Sequence, residues 1–263
     1  MAEIPSKRFQ VRLAETPEDV AAAQRLHYAV FYEEGSAKPD RHAATSRMDV
    51  DPFDAVCDHL LVIDRANEVL VGTYRLLRQE VAAVHDGFYT AREFELGPLI
   101  ERHRHLSFVE LGRSCVLRSY RRRPVIELLW QGVWDYVRHF RMDVMIGCAS
   151  LEGTDPDALA LPLSFLAEAF AAPAAWRAAA LSDRHIEMRR LPAHAIDRRA
   201  ALRSLPPLVK GHLRLGCHVG EGAVIDRQFD SIDVLIIFPV ASINSRYFAH
   251  YVAPAGEPAR LGA

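Results

Sequence analysis

Cysteine is scarce in this chain. Its four residues, Cys57, Cys115, Cys148 and Cys217, stand far apart with no paired spacing and no nearby histidine set. That pattern excludes a disulfide framework and a zinc-type ligand set, and reads as buried reduced thiols. The twelve histidines show no ligand spacing either, so a metal hydrolase is not expected and no metal site is predicted. There is no basic excess: 32 Lys and Arg face 34 Asp and Glu, for a net charge of −2 and a pI near 6.6. Wholesale nucleic-acid binding is therefore not expected. The opening MAEIPSKRFQ lacks the apolar core of a signal peptide, and the expectation is a cytoplasmic protein. No internal repeat and no linker-like composition interrupt the chain.

One apolar stretch invites a membrane reading. Residues 158–176, ALALPLSFLAEAFAAPAAW, contain Glu168 and are broken by Pro162 and Pro173, which argues against a spanning helix. A core helix is the preferred reading. The alternative is peripheral contact at the inner face of the cell membrane through Leu163, Phe165, Leu166, Phe170 and Trp176.

What is present is an ordinary globular composition, 50% hydrophobic and 25% charged over 263 residues, enough for a substantial core. Phe9, Val11 and Leu13 alternate with polar residues as a half-buried strand requires. Thr16-Pro17-Glu18-Asp19 opens a helix expected to end near Tyr32. Residues 33–57 are polar and read as a loop carrying the acidic cluster Asp49, Asp51 and Asp54. Runs at 59–63 and 69–77 form a hairpin. A strand near 106–117, a helix opened by Pro124 and a strand at 142–149 make a βαβ-like unit. Further strands are expected at 208–215, 223–225 and 233–240. The reading is one α/β domain over 1–263, with its C-terminal part from about 151 completing or extending the sheet.

Residues 106–125, LSFVELGRSCVLRSYRRRPV, form the centre. A strand, a cationic loop and a helix N-terminus together favour an anion. In an unbroken strand Glu110 and Arg113 would point to opposite faces. A bulge at Gly112 would bring them onto one face and free backbone N–H groups for a substrate carbonyl.

The strand, the arginine loop and the Pro124 helix resemble the acyl-donor site of the GNAT superfamily of N-acyltransferases, with RSYRRRPV in place of the usual glycine-rich pyrophosphate loop. The motifs DPFD at 51–54, GTYRLL at 72–77 and VELGRSCV at 109–116 are similar to acyl-homoserine-lactone synthases. With LLWQGVWDY at 128–136 and LPPLVKGHLRLG at 205–216, they resemble more closely the bacterial L-ornithine N-alpha-acyltransferases of ornithine-lipid synthesis. The resemblance implies a mixed, mostly antiparallel sheet with a splayed central strand pair flanked by helices. It implies transfer of a 3-hydroxyacyl group from acyl carrier protein to L-ornithine, with no bound cofactor and the phosphopantetheine thioester as donor substrate. It also places Asp51, Asp54, Arg75, Glu110 and Arg113 in one polar cluster.

That chemistry assigns expected roles. An α-amine with pKa near 8 is about one-tenth neutral at pH 7, whereas a side-chain amine costs roughly 3 kcal/mol more to deprotonate. Glu110 is the candidate base, and the competing reading is a structural ion pair with Arg113 or Arg75. Arg75 or Arg113 would take the acceptor's carboxylate, and Asp51 or Asp54 its distal ammonium, with Asp226 and Asp230 as further ammonium candidates. Val116, Leu117, Arg118, Arg121, Arg122 and Val125 fall on the acyl-donor side. Val116 and Leu117 would supply oxyanion N–H groups, and the arginines would dock an acidic carrier or stay solvated. A different acceptor amine and a noncatalytic acyl-carrier-binding protein are the rival readings.

Overall fold

Thr16 caps the first helix as its side chain predicts, accepting from the Asp19 N–H at 3.2 Å. The computed structural model describes residues 8–121 and 123–243, the backbone alone for Arg123. In chain order its elements are β1 (Phe9–Leu13), α1 (Pro17–Tyr28) continued by a π turn (Ala29–Glu33), α2 (Arg41–Ser46), β2 (Asp58–Asp64) and β3 (Val69–Arg78). Then follow α3 (Gln79–Ala82), α4 (Gly97–Arg102), β4 (Phe108–Val116), α5 (Arg123–His139), β5 (Val144–Glu152) and α6 (Ala160–Ala169). The chain closes with α7 (Arg198–Ser204), α8 (Pro207–Leu215), β6 (His218–Asp226) and β7 (Ser231–Pro239).

The seven strands form one sheet in the order β1-β2-β3-β4-β5-β7-β6. All neighbours are antiparallel except β4 and β5, which α5 joins as a parallel pair. The expected mixed, mostly antiparallel sheet is therefore present. The larger core lies between one face of the sheet and α5, α6 and α8. Gly132 lets α5 approach closely, since a Cβ there would lie 2.8 Å from Leu60 and Val11 side-chain carbons.

Three elements differ from expectation. The loop over 33–57 contains α2, capped by Asp40, and a 3-10 turn (Pro52–Ala55) held by a capping box between Asp51 and Asp54. Pieces of six and four residues are too short for a periodicity signal. The strand expected at 208–215 is α8: Pro207 opens it, left-handed Gly216 ends it, and Val209, His212 and Leu213 recur on its buried face at helical spacing. The last strand of the βαβ unit is displaced to Val144–Glu152.

The 158–176 stretch yields only the ten-residue α6, with Leu163, Phe165 and Leu166 at most 3% exposed. Three of the five residues that a lipid contact would use are thus in the core. Trp176 stacks on His103 at 3.9 Å. Among the described residues no helix is long and apolar enough to cross a membrane.

Candidate active site

The bulge falls in β4. Thr73 pairs with Cys115 and Arg75 with Gly112, so β4 has one residue more than β3 across this step. The residue that takes the left-handed conformation is Arg113, φ +48°, rather than Gly112. The inversion shows in the packing, because Val109 and Val116, seven apart, belong to the same core cluster. An unbroken pleat would put them on opposite faces. Glu110 and Arg113 therefore share the face of Arg75.

On that face the acidic loop meets both arginines. Arg75 Nη1 donates to Asp51 Oδ1 at 2.7 Å and Asp54 Oδ1 at 2.8 Å. Arg113 donates from Nε to Asp49 Oδ2 at 2.9 Å and from Nη2 to Asp51 Oδ2 at 3.1 Å. Gln24 Nε2 closes the set on Asp54 Oδ2 at 2.9 Å. Burial pushes the Asp51 carboxyl up, but Arg75 and Arg113 hold it below its usual range. Arg113 also packs against Phe229, its guanidinium carbon 4.6 Å from the ring centroid. The Asp51 and Asp54 carboxylates are thus engaged with arginines and with their own backbone.

Glu110 sits apart from this lattice. Its two oxygens accept the N–H groups of Tyr89 at 3.0 Å and Thr90 at 2.6 Å, at the start of the 3-10 turn Tyr89–Arg92. No ion pair with Arg75 or Arg113 is formed. Burial raises its pKa against the pull of those donors. The Thr90 hydroxyl is a further donor to it, and the net effect is a greater affinity for a proton than an exposed carboxylate has.

β4 and β5 pair over only three residues, Phe108–Glu110 with Val144–Ile146. At the fork Gly147 is pressed so near β4 that a Cβ would lie 2.3 Å from the Leu111 carbonyl oxygen. Past it the strands splay, and a cavity of about 490 Å³ is lined from both faces of the sheet. Arg75, Glu110, Arg113, Cys148, Asp226 and Asp233 line its polar end. Tyr74, Trp130, Met145, Ala149, Val209 and Phe238 line an apolar end under α5 and α8. A substrate with a polar head and a fatty tail fits this division.

Residues 26–131 match the family model described as an acetyltransferase (GNAT) domain. The chain is 47% identical over 258 residues to the L-ornithine N(alpha)-acyltransferase of Agrobacterium fabrum, covering 96% of this chain and 87% of the relative. It is 38% identical over 251 residues to that of Rhodobacter capsulatus, covering 92% and 94%. The chain belongs to the L-ornithine N(alpha)-acyltransferase family. The fold is shared with FeeM, an N-acyl amino acid synthase from uncultured soil microbes (TM-score 0.51, 12% identity, 92% and 98% covered). It is shared equally with MesI, a CoA-dependent acyl-homoserine lactone synthase (TM-score 0.51, 11% identity, 95% and 99% covered). The protein is a GNAT-fold N-acyltransferase acting on an amine acceptor.

The donor side of this L-ornithine N(alpha)-acyltransferase family member departs from expectation in part. The Leu117 N–H is not free, because it donates to Val71 O at 3.0 Å as the β3–β4 ladder runs out. The backbone edge without a strand partner is instead the β5-facing side of β4 beyond the fork. Arg118 Nη2 donates to Glu34 O at 2.9 Å and Arg121 Nη2 to Glu34 Oε2 at 2.6 Å, so both are held at the cavity mouth. Val125 is buried in the core, with its backbone N–H in the first turn of α5. Arg122 lies outside the described residues.

A second acidic group was not foreseen. Glu93, Cys148 and Asp233 bring one ligand atom each within 4.8 Å of one another, a seat for a cation. Burial, then Asp233, pushes Glu93 up to about 7, and burial pushes Asp233 up to about 6. Burial holds the Cys148 thiol well above its ordinary value, so it stays protonated and donates to Glu93 Oε2 at 3.2 Å. Arg184 reaches Glu93 from outside at 3.4 Å. The one signal in the sequence is Asp233 itself, a charge inside the apolar strand SIDVLIIFP. Asp226 lines the cavity, but its Oδ1 accepts the Gln228 and Phe229 N–H groups and pins the β6–β7 turn. Asp230 does not line the cavity.

This pair makes a pH prediction. Both pKa values are raised in the folded state, so these groups stabilise below about pH 4, where both states are protonated, and that contribution is lost as pH rises toward 7. The melting temperature should fall across that window. Glu93→Gln with Asp233→Asn should flatten the fall, and an equal fall in the double variant would assign it elsewhere.

Proposed function

We propose that the protein moves a 3-hydroxyacyl group from acyl carrier protein to the α-amine of L-ornithine, giving lyso-ornithine lipid. The observation that carries this reading is the cavity through the splayed sheet, acidic at one end and apolar at the other. The amine attacks the thioester carbonyl, a C–N bond forms, the C–S bond breaks, the amine's proton goes to Glu110 and the released carrier thiolate takes a proton. Arg113, 11% exposed against 4% for Arg75, takes the acceptor carboxylate. The distal ammonium goes to Asp233, which lines the cavity beside the buried Glu93, rather than to Asp51 or Asp54, which the arginines already occupy. The unpaired edge of β4, up to Val116, supplies oxyanion donors, each worth about 3 to 4 kcal/mol when well aimed.

Thiol release from 3-hydroxyacyl carrier protein against a panel of amines, followed by mass measurement of the product, tests donor, acceptor and reaction together. Thiol release with S-adenosylmethionine but not ornithine would replace the acceptor, and carrier binding without thiol release would remove the enzyme reading. Asp233→Asn should cut the preference for ornithine over norvaline, which lacks the distal ammonium, on the order of 30-fold. An unchanged preference would move that ammonium elsewhere.

The carrier docks by charge. Acyl carrier proteins are acidic and carry a phosphate on the pantetheine arm, which suits Arg118, Arg121 and the α5 N-terminus. Charge reversal of Arg118 and Arg121 together should raise KM for the carrier far more at low than at high salt. A salt-independent change would reject the dock. We place the enzyme in the cytoplasm, with its amphiphilic product leaving to the inner face of the membrane; liposome flotation tests that contact.

A further inference from the structure

The apolar end of the cavity contains a polar group that a plain hydrocarbon tail cannot satisfy. His212, on α8, is 9% exposed and lines the cavity, yet its Nδ1 is buried without a hydrogen-bond partner. Its ring stands edge-on to Trp130, centroids 5.5 Å apart, and Trp130 in turn leans on Tyr74 at 6.4 Å. The Tyr74 hydroxyl is also buried with no closed hydrogen bond, with Ser114 beside it. Around them the wall is Met145, Ala149, Val209 and Phe238.

We propose that His212 recognises a hydroxyl carried by the acyl chain and so selects hydroxyacyl over unsubstituted donors. Burial alone lowers the imidazole to about 4, so the ring is neutral at pH 7 and offers one N–H and one lone pair. A hydroxyl both donates and accepts, and therefore matches either tautomer. A methylene at the same depth leaves buried nitrogen unpaired, the situation in which a site rejects the analogue that lacks its hydrogen-bonding group.

The proposal deepens the assignment of a 3-hydroxyacyl donor and rests on it. The test compares kcat/KM for 3-hydroxyacyl and unsubstituted acyl carrier protein of equal chain length, in the full-length enzyme and in His212→Phe and His212→Asn. The native enzyme should prefer the hydroxyacyl donor by about 10- to 100-fold. His212→Phe should bring the ratio toward one, and His212→Asn, whose amide keeps a polar atom near the Nδ1 position, should retain most of it. A preference that survives in His212→Phe, or a loss shared equally by both donors, overturns the role of His212 while leaving the donor assignment standing. A native enzyme with no preference overturns the donor assignment itself. Melting temperatures of both variants identify a folding defect.

Discussion

Glu110→Gln should lower turnover by about 10²- to 10⁴-fold, the usual contribution of a positioned general base. Glu110 is 5% exposed, lines the polar end of the cavity at the fork of β4 and β5, and has its pKa raised by burial. Its oxygens also hold the Tyr89 and Thr90 N–H groups, so the substitution has a second effect. A glutamine amide has one oxygen and one NH₂, and turns a donor toward one of those two N–H groups. Some destabilisation follows from that alone, of the size of one lost hydrogen bond, about 1 to 3 kcal/mol.

The two effects separate in the pH profile. In the native enzyme Glu110 adds one deprotonation to those that the amine and Asp233 require, so on the acid side it steepens the rise of the logarithm of kcat/KM by one unit of slope. With the amide in place that deprotonation is gone, and the slope should fall by one. A pH-independent rate loss accompanied by a lower melting temperature would assign Glu110 to holding the Tyr89–Arg92 turn. A native profile with near-normal turnover would remove it from the chemistry altogether.

Arg75→Ala should destabilise the fold by about 3 to 5 kcal/mol, the cost of stripping one partner from a buried ion pair. The side chain is 4% exposed and its Nη1 holds two carboxylates, one from each end of the DPFD capping box. Removing it leaves Asp54 with only Gln24 and the Asp51 N–H, while Asp51 still has Arg113. Arg75→Lys keeps the charge but not the planar fork, and should fall between the two. Urea denaturation midpoints measure both. A loss below about 1 kcal/mol for the alanine variant would mean that the acidic loop is held by Arg113 without help.

Much of the architecture was legible from local pattern. The Thr16 cap, the hairpin of β2 and β3, the amphipathic α5 and the parallel crossover it makes follow from period, cap residues and turn chemistry, which depend on neighbours a few positions apart. The bulge was legible too, since Glu110 and Arg113 on opposite faces of a buried strand would be electrostatically untenable. Its position missed by one residue, because either could take the left-handed conformation and only the register against β3 chooses.

The site was legible only as a list of charged residues. DPFD, Arg75, Glu110 and Arg113 stood out in the sequence, but which charge meets which did not. The pairs span more than twenty to more than sixty residues, and are set by how the 3-10 turn at Asp51 docks on β3 and β4. The docking left Glu110 to the Tyr89–Arg92 turn rather than to an arginine, and took Leu117 out of the oxyanion set.

By itself the sequence determined the order and type of most elements, the family, and an acidic loop that must face two arginines. These depend on local periodicity and on motif order. Only the tertiary structure decided where β4 and β5 part, that Glu93 from a loop and Asp233 from the last strand meet beside Cys148, and that His212 faces a fatty channel. Those juxtapositions are long-range: burial of two cores on opposite faces of one sheet sets them, and no stretch of the chain contains that information.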